Sequence, residues 1–435
     1  MALDSYFEPT DGGDTAFTVS PPRIKFGRGA LSEIGFDAKG LGMSRVALFT
    51  DAQVAKLAPV ATAKAALEAA GLDVTVYDEV EVEPTDRSFK AATQFAVDGK
   101  FDGFVSVGGG SVMDTCKAAN LYATYPTDDF LAYVNAPIGS ATPVPGPLKP
   151  HLACPTTFGT ASECTAMAIF DVLELEVKTG IAHPSLKPQL GVIDPSTLDT
   201  LPAEIVAANA FDVFSHAIES YTAVPYTQRD KPSDPAARPV YQGANPMSDL
   251  NCLEAIRLIG ANLVDAVKNP TPNHYEALAF SGMLAGIGFG NAGCHLPHAM
   301  SYAVAGLVRD YQPKGWQSNH PMVPHGISVI VNAPAVFRRM APACPDRHLT
   351  AAKAMGADIS GAAPEDAGEI LAGRVADLMR ETGMPNGNGG VGYSEEDLDA
   401  LTERAHAQQR LVKMAPMPVD KTLIKDMFRD SLRYW

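Results

Sequence analysis

The sequence lacks three features that would each point to a particular class of protein. It has no apolar run of about 18 residues, so we expect no membrane-spanning segment. Its net charge is −16, which argues against a nucleic-acid partner because phosphate recognition needs a basic surface. The six cysteines include no C-x-x-C pair, which favours reduced thiols in a reducing compartment over a disulfide framework.

The N-terminal residues also lack the signs of a targeting sequence. An acid stands at Asp4, and neither an apolar nor a basic stretch surrounds it. A signal peptide needs an apolar stretch, and a transit peptide is rich in arginine and poor in acids. The sequence alone therefore predicts a cytoplasmic protein.

Strand and helix patterns alternate in the first half of the 435 residues. Short apolar runs rich in strand formers are followed by segments of helical periodicity. This order predicts βαβ units and a parallel, Rossmann-like sheet, so we expect an α/β dinucleotide-binding domain over residues 1–201. The predicted strands are 45–50, 74–77, 101–107, 152–154, 168–172 and 190–194, and the predicted helices between the first three strands are 52–70 and 85–98.

A glycine-rich turn joins the third predicted strand to a helix. Gly109 and Gly110 let the backbone approach a phosphate closely, and Ser111 begins a helix whose free N–H groups attract anions. We interpret this turn, with Asp114 in the helix behind it, as the pyrophosphate site of a dinucleotide. The spacing is not G-x-G-x-x-G, and a plain strand-to-helix turn explains the glycines equally well.

Three further groups are candidates for cofactor contacts. Asp51 follows the first predicted strand, where its carboxylate can cap the next helix or accept hydrogen bonds from the adenosine ribose of NAD. A glycine-containing loop suits a phosphate, a ribose or a nicotinamide amide through the hydroxyl groups of Thr156, Thr157 and Thr160. An ordinary hydroxyl turn has the same composition. Lys178 lies in or near a predicted hairpin and completes the set.

From Pro202 onward the periodicity is helical, and we find no convincing strand. We therefore expect an all-α domain over residues 202–435. A proline-rich stretch at 224–246 predicts a long irregular loop. The predicted helices are 203–222, 247–268, 273–292, 326–340, 347–355, 364–382, 394–407 and 419–432.

An acid and several histidines in this helical half have the spacing of metal ligands. Asp212 and His216 are four residues apart, so they share one face of a helix. His295 and His298 follow in a stretch of small residues, and His325 begins another helix. A lone histidine is usually a core or surface residue, but one acid with several histidines suits Fe²⁺ or Zn²⁺. Spacing alone does not choose between His295 and His298.

These motifs, in this order, resemble the iron-containing (group III) alcohol dehydrogenases over nearly the whole chain. The similar segments are Gly-Gly-Gly-Ser with Asp114 and Lys117, Pro155-Thr-Thr-x-Gly-Thr-x-Ser-Glu163, Asp212-x-x-x-His216, His298 and Pro-His325-Gly. The resemblance implies a dehydroquinate synthase-like architecture with the site in a cleft between the two domains, NAD as cofactor, and a homodimer or larger assembly. It assigns a divalent metal, Fe²⁺ before Zn²⁺, to Asp212, His216, His298 and His325. His295 then becomes a neighbour.

Longer stretches resemble one branch of that family, the hydroxyacid-oxoacid transhydrogenases. They include 129–139, 211–221, 241–246 and 286–293. The resemblance implies hydride transfer from a short hydroxyacid such as 4-hydroxybutyrate to 2-oxoglutarate through bound NAD. The alternative is an NAD-dependent dehydrogenase of simple primary alcohols. Carboxylate substrates need a cation, and loop residues that could supply one, none assigned by spacing, are Lys149, Arg238, Arg309 and Lys314.

One position departs from the family pattern. Many members carry a further histidine four residues after the third metal ligand, often given a proton-relay role. Here that position holds Tyr302. Its phenol could relay a proton through the hydroxyl group, or it could simply pack, and Tyr302 is the candidate catalytic residue.

Overall fold

The chain forms two compact units that divide near residue 200. A computed structural model describes Tyr6 and residues 10–175, 177–235, 238–316 and 320–435. One unit is Pro21–Thr200, and the other is Leu201–Trp435 with the described residues of Met1–Ser20. The sequence predicts those first residues in the α/β domain instead. They join the helical unit because the Tyr6 hydroxyl donates to Asp249 Oδ2 at 2.7 Å and accepts from Arg347 Nη2 at 2.9 Å.

The unit Pro21–Thr200 is built on a parallel sheet. Its strands are β1 (Ile24–Phe26), β2 (Arg45–Phe49), β3 (Asp73–Tyr77), β4 (Gly103–Gly108), β5 (His151–Pro155), β6 (Met167–Val172), β7 (Val177–Ala182) and β8 (Leu190–Ile193). Its helices are α1 (Ile34–Gly40), α2 (Ala58–Ala69), α3 (Asp86–Gly99) and α4 (Gly110–Thr124). Six strands pair in parallel in the order β1-β8-β5-β4-β2-β3, and β6 and β7 form a separate antiparallel pair.

Helices cover both faces of this sheet. β4 and β5 are buried at every residue, which is typical of central strands in a parallel sheet. Neighbouring residues of β2 point to opposite faces: Leu48 packs in a core with α1 and α2, and Phe49 packs in a second core with α3 and α4. The predicted strands are therefore confirmed, whereas the short elements β1 and α1 carry too little pattern to be predicted.

The described part of the second unit is helical. Its helices are α5 (Ala203–Thr222), α6 (Pro246–Lys268), α7 (Pro272–Ala292), α8 (Leu296–Gly306), α9 (His325–Ile330), α10 (Ala333–Met340), α11 (Pro345–Ala354), α12 (Ala367–Glu381), α13 (Leu398–His406), α14 (Gln409–Val412) and α15 (Lys421–Asp430). Helix α5 lies at the centre and packs against α6, α7 and α9. The metal ligands predicted for this half lie on α5, α8 and α9, so they can form one site only if these three helices meet.

Two differences between the predicted and the observed helices have a clear physical reason. The predicted helix 326–340 is interrupted between α9 and α10, because Pro334 has no N–H to continue the helix and occupies the first turn of α10 instead. The sequence pattern does not predict α8. Eight of its 11 residues are buried, so it lacks the contrast between apolar and polar faces that marks an amphipathic helix.

Two expectations from composition concern the cysteines, which were predicted to be reduced, and the apolar segments, which were predicted to be too short to span a membrane. All six cysteines are free thiols, and five of them are buried, which agrees with the predicted reduced state. No single described helix is long and apolar enough to cross a membrane, although α7 and α8 pass that test as a pair bent by 101°.

Candidate active site

Helix α5 carries two of the predicted metal ligands through the centre of the helical unit. It is buried from Val206 to Thr222 except at Asn209, so its polar side chains must find partners inside the unit. Asp212 and His216 are one turn apart, and His216 Nδ1 lies 3.7 Å from Asp212 Oδ1. The spacing of four residues thus places both groups on one helix face.

Two further helices each bring a histidine to the same carboxylate oxygen. Nε2 of His298, in the first turn of α8, lies 3.5 Å from Asp212 Oδ1, and Nε2 of His325, the first residue of α9, lies at the same distance. Helix α9 can approach α5 because position 326 is glycine. A Cβ on Gly326 would lie 2.1 Å from the carbonyl oxygen of Ala208. The Pro-His-Gly sequence therefore brings His325 against Asp212.

The four side chains form a compact cluster from which water is largely excluded. Their ligand atoms lie within 4.8 Å of one another. Asp212 Oδ1, His216 Nδ1 and His298 Nε2 are buried, and none of the three has a hydrogen-bond partner among the described residues. Leaving such an atom unsatisfied costs about 1–3 kcal/mol. One carboxylate and three imidazoles suit Fe²⁺ or Zn²⁺, so the residues fit a divalent cation.

The charge balance of the cluster also favours a bound cation. Burial lowers the pKa of His216 to about 3, so its imidazole is neutral near pH 7 and has a lone pair for a metal. Burial also disfavours the charged form of His298, but the carboxylates of Glu219 and Asp212 raise its pKa to about 9. A position that stabilises the proton of an imidazolium stabilises a metal cation for the same electrostatic reason.

Glu219 is a residue of this site that the sequence prediction missed. It is fully buried on α5, seven residues after Asp212 and on the same face. Its Oε1 accepts a hydrogen bond from His298 Nδ1 at 2.6 Å, and its Oε2 accepts one from the backbone N–H of His295 at 2.7 Å. Because Nδ1 of His298 donates to Glu219, Nε2 is the nitrogen that faces Asp212, and it offers a lone pair to a metal once its own proton has left. The sequence did contain a signal for Glu219, which is an acid seven residues after Asp212 and therefore on the same helix face.

His295 and Tyr302 flank His298 without joining the ligand cluster. His295 Nε2 lies 3.0 Å from Thr222 Oγ1, so this histidine ties the start of α8 to the end of α5. Tyr302 follows His298 by one turn of α8 and is half-buried. It interacts electrostatically with Tyr241 and Arg410. A catalytic role for Tyr302 stays a prediction.

In the other unit, the predicted cofactor residues gather at one edge of the sheet. β2, β4 and β5 are neighbours, and Gly108 pairs with Pro155 at the carboxyl ends of the last two. Asp51 follows β2, the glycine turn follows β4, and the threonine loop follows β5, where the Thr156 N–H donates to the Gly108 carbonyl oxygen at 2.9 Å. Ligands of parallel α/β sheets bind outside the carboxyl ends of the strands.

The glycine turn and the threonine loop pack against each other. A Cβ on Gly110 would lie 2.8 Å from Thr160 Oγ1, so this approach requires glycine. A Cβ on Gly109 would lie 3.4 Å from Thr157 Oγ1, which is a tight contact. The two loops thus form one surface that combines hydroxyl groups with the free N–H groups at the start of α4.

Asp51 and Ser111 make local hydrogen bonds at this edge. Asp51 Oδ1 accepts from the backbone N–H groups of Gln53 and Val54, each at 2.9 Å, so it caps the turn that follows β2 and not α2, which begins at Ala58. Ser111 Oγ accepts from the backbone N–H of Glu83 at 3.2 Å. A nucleotide contact stays a prediction for both residues.

Asp114 supports the threonine loop from inside the unit. Its Oδ1 accepts from Ser162 Oγ at 2.5 Å, and its Oδ2 accepts from the Ile169 N–H at 2.9 Å. The fully buried Lys117 donates to the carbonyl oxygens of Ser162 and Met167, both at 2.8 Å. Both carboxylate oxygens of Asp114 are therefore engaged within the protein, and its position is that of a support for the loop.

Lys178 lies on β7, where its amino group forms two ion pairs. Nζ is 2.8 Å from Glu83 Oε2 and 2.9 Å from Asp171 Oδ2. Burial alone would lower the pKa of Lys178, but the two carboxylates raise it above its usual value, so the amino group stays charged. The pairs tie the β6–β7 hairpin to the loop before α3, and contact with a cofactor stays a prediction.

Comparison with known proteins gives the same result for both halves of the chain. The iron-containing alcohol dehydrogenase model matches residues 21–195, and the model of the C-terminal region of the Fe-containing alcohol dehydrogenase family matches residues 240–432. The mitochondrial hydroxyacid-oxoacid transhydrogenase of Homo sapiens is 46% identical over 424 residues, which cover 97% of this chain and 91% of that protein. A probable mitochondrial hydroxyacid-oxoacid transhydrogenase of Dictyostelium discoideum is 44% identical over 434 residues, which cover 96% of this chain and 79% of that protein.

Solved structures with the same fold include two at 28% identity. A 1,3-propanediol oxidoreductase has a TM-score of 0.84 and matches 96% of this chain and 100% of its own. An alcohol dehydrogenase from Oenococcus oeni has a TM-score of 0.82 with the same coverage. The predicted fold class, an α/β dinucleotide-binding-type unit with an all-α unit, is therefore confirmed.

The comparisons correct one prediction. The expected cytoplasmic location is wrong, because the curated relatives are mitochondrial by name. The composition of the first residues was not sufficient to decide a location. Both matched models and the relatives that span nearly the whole chain agree on the chemistry, which is oxidoreduction. The chain belongs to the iron-containing alcohol dehydrogenase family.

Proposed function

We propose that this protein is a metal- and NAD-dependent oxidoreductase that passes hydride from a short hydroxyacid to an oxoacid through bound NAD. The observation that carries the proposal is the group of four metal-ligand side chains around Asp212 Oδ1, of which Asp212 Oδ1, His216 Nδ1 and His298 Nε2 are buried without a hydrogen-bond partner among the described residues. It occurs in a chain that is 46% identical to a human hydroxyacid-oxoacid transhydrogenase. The proposed donor is 4-hydroxybutyrate and the proposed acceptor is 2-oxoglutarate.

The divalent metal would be held by one acid and three histidines: Asp212, His216, His298 and His325. Bound there, the metal would polarise the oxygen of the substrate's reacting group as a Lewis acid. The ligand types suit both Fe²⁺ and Zn²⁺, and the family favours Fe²⁺. The His325 side chain is 29% exposed, against 6% for the other two histidines. The substrate would therefore reach the cluster from the side of His325.

The other residues of the helical site would prepare these ligands. Glu219 holds His298 in the tautomer that a metal needs. The carboxylate of Asp212 would offset part of the positive charge of the metal. Tyr302, one turn beyond His298, would pass the hydroxyl proton of the substrate through its phenol, since a phenol can both donate and accept a hydrogen bond.

NAD would bind at the carboxyl edge of the parallel sheet. The N–H groups of Gly109, Gly110 and Ser111 would receive the pyrophosphate. Oδ1 of Asp51 caps the following turn, and its Oδ2 would accept hydrogen bonds from the ribose hydroxyl groups. The hydroxyl groups of the loop that packs on this turn would contact the ribose or the nicotinamide amide: Thr156, Thr157 and Thr160. Asp114 and Lys178 would act by holding the surrounding loops.

A two-substrate assay tests the proposal. Metal-replete, NAD-loaded protein is incubated with 4-hydroxybutyrate and 2-oxoglutarate, without free NAD. We expect succinic semialdehyde and 2-hydroxyglutarate in equal amounts. If neither product forms, and the protein instead reduces free NAD with simple primary alcohols, it is an ordinary NAD-linked alcohol dehydrogenase. A homodimer or larger assembly is proposed from the family alone, and sedimentation of the purified protein tests it.

A further inference from the structure

The proposed hydroxyacid carries a carboxylate remote from its reacting oxygen. The four loop cations that the sequence offered as partners for this carboxylate are poorly placed to bind it. Lys149 Nζ donates to a backbone carbonyl oxygen at 2.7 Å. Arg238 and Arg309 are paired with carboxylates of the protein. Lys314 is exposed on an irregular segment. A different cation lies closer to His298 along the fold.

We infer that Arg410 binds the remote carboxylate of the substrate and so determines the preference for hydroxyacids, an inference that rests on the proposed function. Arg410 lies on α14, which packs against α8, the helix that carries His298. The Arg410 residue as a whole is accessible to solvent, although its neighbours desolvate part of the side chain, so a ligand can still reach it. The guanidinium carbon stands 5.1 Å from the centre of the Tyr241 ring, a cation–π arrangement that fixes its orientation.

Tyr241 connects Arg410 to the turn between α7 and α8, which lies next to the ligand cluster. A Cβ on Gly293 would lie 2.8 Å from Tyr241 Cγ, so the ring packs on the turn that leads from α7 into α8. The carbonyl oxygen of Gly293 accepts a hydrogen bond from Ser220 Oγ at 2.7 Å, next to Glu219 on α5. The ring that orients Arg410 thus rests on the same turn that positions His298.

The charge of Arg410 is left for a ligand to neutralise. Desolvation acts to lower the pKa of Arg410, and the groups that raise it most are Tyr241, Tyr302 and Cys294, none of which is a carboxylate. Tyr302, which is among the groups that act on Arg410, shares a face of α8 with His298, because residues four apart lie on one helix face. A guanidinium in this position offers two parallel N–H donors that match a carboxylate.

The test compares an acidic substrate with a matched neutral one. Reduction of the bound NAD is followed in a single turnover with 4-hydroxybutyrate and with 1,4-butanediol, which has the same carbon chain without the carboxylate. In Arg410→Gln we expect the half-saturating concentration of 4-hydroxybutyrate to rise about 10- to 100-fold, with the diol changed less than about twofold. Arg410→Lys should lie between, because an ammonium keeps the charge but loses the two-point geometry.

Lys413→Gln is the matched control, since it removes an exposed charge three residues away, and it should behave as the wild type. A second readout does not depend on catalysis. Succinate, an unreactive dicarboxylate, should raise the unfolding temperature of the wild-type holoenzyme and of Lys413→Gln, but not that of Arg410→Gln.

Three results would overturn the assignment of Arg410. They are an unchanged half-saturating concentration of 4-hydroxybutyrate, an equal loss on both substrates, and stabilisation by succinate that survives in Arg410→Gln. If the diol is not a substrate of the wild type, the succinate measurement decides alone. A wild-type protein that oxidises the diol but not 4-hydroxybutyrate would overturn the proposed function as well, so the two failures are distinguishable.

Discussion

Replacing Glu219 with glutamine tests whether metal affinity depends on the residue that orients His298. The substitution keeps the size of the side chain and removes its charge. Glu219 Oε2 accepts from the backbone N–H groups of His295 at 2.7 Å and of His298 at 3.4 Å, and Oε1 accepts from His298 Nδ1 at 2.6 Å. A carboxylate satisfies all three donors, whereas an amide has one oxygen and one NH₂ group.

The magnitude follows from where the amide must point. Two backbone donors converge on one position, so the amide oxygen belongs there and the NH₂ group faces Nδ1 of His298. The imidazole then accepts at Nδ1 and carries its proton on Nε2, which removes the lone pair that faces Asp212. If His298 returns to the tautomer that binds a metal, its Nδ1–H no longer has an acceptor in the variant. Leaving that buried hydrogen bond unmade costs about 1–3 kcal/mol. We therefore expect the metal dissociation constant to rise about 10- to 100-fold.

Competition with a chromophoric chelator measures this change. Metal-free wild-type and Glu219→Gln proteins are titrated with Zn²⁺ in the presence of the chelator. Glu254→Gln is the control, because it makes the same chemical change in an exposed pair with Arg257 on α6. Circular dichroism shows whether each variant is folded. A folded Glu219→Gln protein whose zinc affinity is within about twofold of the wild type would refute the assigned role of Glu219.

Three further predictions concern the loops, acid stability and the metal. Gly110→Ala should lower NAD affinity about tenfold without changing metal content, since its Cβ would lie 2.8 Å from Thr160 Oγ1; fluorescence titration measures this. Burial lowers the pKa of His151 to about 3, so the unfolded state binds the extra proton and stability falls as the pH drops from about 6.5 toward 3. His151→Gln should flatten that decline by up to about 1.4 kcal/mol per pH unit in urea unfolding at several pH values. Chelation should lower the unfolding temperature by a few degrees, reversibly with Fe²⁺ or Zn²⁺, and have no effect on Asp212→Asn.

The parts of the fold that could be predicted are those whose pattern is local. The central strands read as short apolar runs, because both faces of a parallel sheet are covered. The break between α9 and α10 could have been placed, since Pro334 stands at the start of α10. Helix α8 could not be predicted from periodicity, because it is buried on most sides. Among the helices that the pattern missed, α8 is the one that carries His298.

The ligand cluster also has a part that local spacing predicts and a part that depends on contacts between distant segments. Asp212 and His216 belong to one helix, so four-residue spacing was enough to place them together. His295 and His298 could not be separated by spacing, because both stand near the start of the same helix. What separates them is a contact between distant segments: Glu219 holds the backbone N–H of His295 and the ring of His298. Glu219 itself was within reach, as the acid that continues the face of Asp212 and His216.

The search for a substrate cation shows why tertiary partners matter more than sequence surroundings. The four candidates were chosen because they lie in loops, yet Arg238 and Arg309 already have a carboxylate within ion-pair distance. An arginine that is paired with an acid of the protein must break that pair before it can bind a substrate carboxylate. Arg410 lies in a four-residue helix that no pattern marks, and its interacting groups are two tyrosines and a cysteine. Whether a cation is available to a substrate therefore depends on its neighbours in space. A helix that packs against α8 can place such a cation near the ligand cluster, whose members come from distant segments of the chain.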